Sequence, residues 1–113
     1  MKIDSYSFGR IVINGKTYSS DVIIYPGRVD ASWRRKEGHL LRLADLAEAL
    51  HAKPEVLVIG TGYAGVMRVP GETVDRIAAQ GIEVKVERTS KAVETYNDLH
   101  DAKTVIAALH ITC

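Results

Sequence analysis

Apolar residues follow two rhythms along this chain. Val56-Leu57-Val58-Ile59 is a continuous branched run, entered through Pro54 and left through Gly60-Thr61-Gly62. Thr104 to Thr112 is apolar almost throughout. Continuous runs of this length predict strands buried on both faces, in the middle of a sheet. Ile82, Val84 and Val86 instead alternate with Glu83, Lys85 and Glu87, which predicts a half-buried strand at a sheet edge. The first third also reads as β. Ser7–Ile13 and Lys16–Tyr18 flank Asn14-Gly15, a pair that tolerates positive φ at both turn positions and so predicts a hairpin. Asp21–Tyr25 is a further strand, stopped by Pro26-Gly27, and 29–37 has no period and reads as loop.

Helical spacing appears three times. Leu43, Leu46, Ala47 and Leu50 fall on one face of a helix that must end before Pro54. Pro70-Gly71-Glu72 opens a second, with Val74, Ile77 and Ala78 inward and Gly81 as its left-handed cap. Thr89 or Ser90 caps a third, with Ala92, Val93, Tyr96 and Leu99 inward. Strand, helix and strand from Val56 to Glu87 make a right-handed βαβ unit with parallel strands. The early hairpin makes the whole sheet mixed. The fold class is α/β, in one domain over residues 1–113.

Bulk properties remove several function classes. A net charge of +1 argues against nucleic-acid binding. No apolar run reaches membrane-spanning length. The amino terminus lacks a signal-peptide segment, and the single cysteine, Cys113, permits no internal disulfide; both fit the cytoplasm.

Chemistry is sparse. Gly60-Thr61-Gly62-Tyr63-Ala64-Gly65 spells G-x-G-x-x-G after a strand, and Glu87 sits near the place of a ribose-binding acid. In a dinucleotide site, however, the helix starts inside the motif, and Val66–Val69 reads as extended before Pro70-Gly71. Glycines that bend the chain and let it pack closely are the better reading. Strand ends at Gly60-Thr61-Gly62 and at Arg88-Thr89-Ser90 nevertheless finish side by side, where α/β sheets bind ligands. A small anion could dock there on helix-start amides, with Gly60, Thr61, Gly62, Thr89, Ser90, Asn97 and His110 as candidate residues. The plainer alternative makes Thr89 and Ser90 simple N-caps. Asn97 bonds the glycine loop or faces water. His110 and Cys113 are too few ligands for a metal and diverge on a strand, so neither a metal nor a cofactor is expected. Trp33-Arg34-Arg35 offers either an aromatic protein interface or a tryptophan that covers the sheet.

Taken together, Trp33-Arg34-Arg35-Lys36-Glu37-Gly38-His39, Val58–Gly62, Val69-Pro70, Gly81-Ile82, Thr89 with Ala92, Tyr96-Asn97 and Leu109–Cys113 are spread over the whole chain in order. With this set the chain resembles a small domain family of archaea, bacteria and eukaryotes. That family includes the human adipogenesis-associated domain protein and a mitochondrial assembly factor for respiratory complex I. The tail looks like that of an archaeal or bacterial member. The resemblance implies three layers around a mixed five-stranded sheet, with the last strand antiparallel and central and the Ile82 strand at the edge. It transfers no catalytic residue. The expected function is a non-catalytic binding or assembly module with another protein as partner; the alternative is a small anion-binding protein or enzyme at the strand ends.

Overall fold

The computed structural model describes residues 1–113. Strands β1 (Ile3–Ser7), β2 (Arg10–Ile13) and β3 (Lys16–Tyr18) form an antiparallel three-stranded sheet. Strands β4 (Val22–Tyr25), β5 (Arg28–Asp30), β6 (Val56–Thr61), β7 (Glu83–Glu87) and β8 (Val105–His110) form the second sheet, in the order β5-β4-β8-β6-β7. A 3₁₀ turn over Leu43–Leu46 leads into α1 (Ala47–His51); α2 (Gly71–Ala78) joins β6 to β7, and α3 (Thr89–Leu99) joins β7 to β8.

The continuous apolar runs lie in the centre because each needs cover on both sides. Leu57, Ile59, Ile106 and Ala108 face α1, α2 and Trp33. Val56, Val58, Val105, Ala107 and Leu109 face α3 and the small sheet, through Ala92, Tyr96, Ile3, Ile11 and Ile13. The layers are therefore helices, five strands, and a third layer shared by α3 and β1–β3. The hairpin is present as expected, with Asn14 at φ 48° and Gly15 at φ 79°. It does not join the central sheet, however, but covers it. The central sheet is mixed because β4 runs antiparallel to β8.

As expected, β8 is central and β7 is an edge. The last strand is antiparallel to β4 on one side and parallel to β6 on the other. The alternating charges of β7 blunt the free edge it presents.

Smaller expectations shift. Val29 and Asp30, read as loop, instead join Arg28 in pairing with β4 across the Pro26-Gly27 turn. The 3₁₀ turn before α1 changes the phase of that helix, so Ala49 is buried in place of Ala47. In α2, Thr73 joins Ile77 inside and Ala78 faces solvent. Gly81 takes φ 83° after α2, as a left-handed cap requires.

Asn97 bonds neither the glycine loop nor water alone. Its amide oxygen accepts the Ile3 N–H at 3.0 Å and its amide nitrogen donates to the Ile3 carbonyl at 2.8 Å. It thus closes the open edge of β1 where the strand begins. Asn97→Ala is expected to lower stability by about 1–3 kcal/mol, since both backbone groups lose their partner in a part-buried place. A urea midpoint unchanged from the parent would contradict this.

Candidate functional site

The expected meeting of strand ends occurs. The Thr89 hydroxyl accepts the Gly62 N–H at 2.8 Å and donates to the His110 carbonyl at 2.5 Å. The Thr89 N–H returns to the Gly62 carbonyl at 3.2 Å, and the Thr61 hydroxyl donates to the Glu87 carbonyl at 3.2 Å. Thr89 is therefore not a cap. Arg88, extended at φ −59° and ψ 148°, occupies the cap position without a side-chain bond, and Thr89 is the first residue of α3. Its hydroxyl is spent tying three chain segments together. Ser90, beside it, faces solvent.

This junction leaves no room for a ligand between Gly60 and Thr89. A Cβ on Gly60 would lie 2.7 Å from Thr89 Oγ1 and 2.9 Å from Leu109 Cδ2. Gly60 is a close-packing glycine, which lets the first turn of α3 sit directly on β6.

The loop amides beyond it do converge on an oxygen, but the oxygen belongs to the chain. Ala64 and Val66 N–H donate to the Cys113 oxygen at 3.2 and 3.1 Å, and Tyr63 N–H donates to the Thr112 carbonyl at 2.7 Å. Residues 112–113 thus occupy these three loop amides.

On the far side of β8 lies a cluster that the sequence reading only half contained. His110 pairs not with Cys113, which is exposed, but with Asp21 at the entrance to β4. Asp21 Oδ2 lies 2.9 Å from His110 Nδ1 and 2.9 Å from Arg35 Nη2, while Oδ1 accepts the Ile111 N–H at 2.8 Å. A carboxylate only accepts, so the proton of the His110 ring is assigned to Nδ1, facing Asp21 at the shorter of its two contacts, 2.9 Å against 3.1 Å to Arg35 Nη2. Burial alone would raise the Asp21 carboxyl. The hydrogen bonds from His110, Ile111 and Arg35 outweigh it and hold the group below its ordinary value. Arg35 also donates from Nε and Nη2 to the Gly38 carbonyl, at 3.0 and 2.8 Å. His110 Nε2 and Arg35 Nη1 are buried without a protein partner.

Trp33 is a correction. It is 7% exposed, packs in the core over the sheet, and donates its indole N–H to the Asp45 carbonyl at 2.9 Å. Arg35 stacks on it, 4.8 Å from the ring centroid. Trp33 and Arg35 thus form a wall and not an exposed interface; of the three residues expected there, Arg34 alone is exposed. That wall lines a cleft of about 320 Å³ with Ser20, Asp21, Ala31, Ser32, Arg34 and Gly38.

The exposed aromatics lie elsewhere. Phe8 is 56%, Tyr63 55% and Val66 43% exposed. The Phe8 and Tyr63 rings meet edge to face at 6.0 Å, and Tyr6 lies 6.4 Å from Tyr63. The Tyr6 hydroxyl donates to the Ile111 carbonyl at 3.0 Å, and burial pushes its pKa up to about 12, so it remains a donor across the physiological range. Gly9 N–H donates to the same carbonyl at 2.8 Å. The tail 111–113 is held between the Phe8-Gly9 turn and the glycine loop, and this brings Phe8 to Tyr63. Both residues were visible in the sequence. Their meeting depends on the tail, which carries no local signal for it.

No helix is long and apolar enough to cross a membrane. No three His, Cys, Asp or Glu side chains converge as metal ligands.

Solved structures share this architecture across archaea and bacteria. A conserved hypothetical protein from Pyrococcus horikoshii OT3 is 29% identical, with all of both chains covered and a TM-score of 0.85. A Bordetella parapertussis protein is 32% identical over 96% of this chain and 92% of its own, with a TM-score of 0.79. A Bartonella henselae protein described as an outer membrane protein is 25% identical over 98% of this chain and 94% of its own, with a TM-score of 0.80. The family described as protein of unknown function (DUF498/DUF598) matches residues 3–110, and the chain belongs to that family.

Proposed function

We infer that the chain is a non-catalytic binding module, working in the cytoplasm, which docks an acidic segment of another protein on the face made by Phe8, Tyr63 and Val66. The observation that carries this is the edge-to-face contact of two aromatic rings that both remain more than half exposed. Aromatic side chains in such a position supply large, rigid contact area and are typical anchors of interfaces. The rim is basic. Arg88 lies along Gly65, 3.3 Å from where a Cβ would sit, and donates to the Ala64 carbonyl at 3.2 Å. Arg10 follows directly on the Phe8-Gly9 turn and is exposed. A partner with an apolar anchor between carboxylates complements both features. The family that the sequence resembles includes a mitochondrial assembly factor, and a protein-binding role is in keeping with that.

Peptide display on the immobilised chain tests the reading, with a Phe8→Asp/Tyr63→Asp variant as counter-selection. Recovered peptides are expected to be acidic with an aromatic or aliphatic anchor. They should bind the double variant at least tenfold more weakly, about 1.4 kcal/mol or more. Peptides that bind both proteins alike, or that show no acidic bias, would rule it out.

A further inference from the structure

We propose that two copies of this chain pair through the free edge of β7, antiparallel about a two-fold axis at Val86, and so join their central sheets into one. The aromatic face takes no part in this contact.

Strand β7 is bonded on one side only, to β6. The Glu83 N–H donates to the Glu55 carbonyl, and the Glu87 carbonyl accepts from the Thr61 hydroxyl. Glu83 and Glu87 therefore turn their backbone groups inward. These groups alternate sides along a strand, so Val84 and Val86 turn theirs to the open edge. The Val86 side chain stands beside that row and is 40% exposed.

Charge selects the occupant. Glu83, Lys85 and Glu87 alternate with the two valines, and this pattern matches its own copy in a shifted register. With Val84 opposite Val86, Lys85 would face Lys85 and Glu83 would face Glu87, which is repulsive throughout. With Val86 opposite Val86, Lys85 faces Glu87 of the second copy, and the axis repeats the pair. These are the non-hydrogen-bonded positions, where side chains across a ladder come closest. The Thr95 hydroxyl donates to Glu87 Oε1 at 2.6 Å and so leaves the other oxygen to meet Lys85 of the copy. Val84 then faces Arg88, whose backbone is extended at φ −59° and ψ 148° and continues the ladder. The two Val86 side chains cover each other. The register with Val84 opposite Val84 gains less. Its Lys85 faces Glu83, which already pairs with Lys85 at 3.1 Å within each chain, and its Val86 faces Ile82, which is buried already. The charges that blunt this edge toward other strands thus favour a copy of itself. A single strand pair buries little surface, so the dimer is weak and reversible.

Sedimentation velocity of the whole chain over about 5–500 µM, with amide exchange followed by NMR at both ends of that range, tests the proposal. The expected result is a monomer that becomes a dimer as concentration rises, with exchange at Val84 and Val86 slowing in step. Lys85→Glu sets carboxylate against Glu87 and should weaken the dimer by about tenfold or more. Lys85→Glu/Glu87→Lys exchanges the two charges and should restore it to within about threefold of the parent. Glu83→Lys, outside the paired span, and Phe8→Asp/Tyr63→Asp, on the aromatic face, should dimerise as the parent does. Circular dichroism establishes that each variant is folded, and the restored double variant shows that Lys85→Glu acts through pairing and not through the fold. A monomer throughout the range, a dimer unaltered by Lys85→Glu, or exchange at Val84 and Val86 that ignores concentration would overturn the proposal. Loss of the dimer in Glu83→Lys, or no recovery in Lys85→Glu/Glu87→Lys, would overturn the register.

Discussion

Gly62→Ala is expected to destabilise the chain by about 3–5 kcal/mol, more than any other single methyl group added to a glycine. Two penalties coincide at this position. Its φ of 108° lies in a region that side chains rarely adopt. The added carbon would also stand 2.4 Å from the Cys113 carbonyl carbon, 2.7 Å from its oxygen and 2.9 Å from His110 Cδ2. The obstruction is chiefly backbone, so no side-chain rotation relieves it. The tail must leave the loop, and with it go the bonds from Tyr63, Ala64 and Val66.

Gly15→Ala is the control. Gly15 has φ 79° but nothing within 4 Å of its added carbon, so only conformational strain of about 1–2 kcal/mol applies. Urea unfolding of the two variants side by side separates the effects. Equal losses would mean that close packing of the tail contributes nothing.

Gly62 also shows where sequence reading stops. A literal G-x-G-x-x-G carries the same letters whether the glycines approach a pyrophosphate or the chain's own backbone. The extended reading of Val66–Val69 was enough to set the dinucleotide aside. It could not say what fills the space, because the answer comes from residues about fifty positions away. The strands were legible for a local reason: apolar runs and alternation report burial residue by residue. Asn14-Gly15 and Gly81 were legible because positive φ selects them.

What covers the sheet was less legible. Ile3–Ser7 has few apolar residues, and three-residue strands such as β5 exist by pairing and not by propensity. The candidate site fared in the same way. His110 was singled out, yet its partner Asp21 lies 89 positions earlier and is delivered by the antiparallel register of β4 on β8, Val22 opposite Leu109. A carboxylate just before an apolar strand was the one available signal. Trp33 was read in two ways, and burial decided between them, since its indole N–H finds an acceptor at Asp45 inside the core.

Asp21→Asn should remove about 3–5 kcal/mol of stability near neutral pH. The carboxylate receives the Ile111 N–H, the His110 ring and the Arg35 guanidinium at once. Arg35 is 4% exposed and has no other anion beside it, so the variant leaves a buried cation uncompensated. The asparagine NH2 group must also face at least one of these donors, replacing attraction by a donor–donor clash. The effect should shift the urea midpoint by about 2–3 M, for a slope of about 1.5 kcal/mol/M.

Acid supplies the second, independent readout of Asp21→Asn. The Asp21 pKa is held below its ordinary value in the folded chain, so the unfolded chain binds the proton more readily there. Stability from this group is therefore complete above the ordinary aspartate value of about 3.9 and is lost as pH falls through the depressed folded value. The parent should lose stability steeply below about pH 4, and Asp21→Asn should lose distinctly less over the same interval. If the two acid limbs run parallel, the carboxylate is not tied to Arg35 and His110 in solution. The wall of the cleft would then have to be drawn without it.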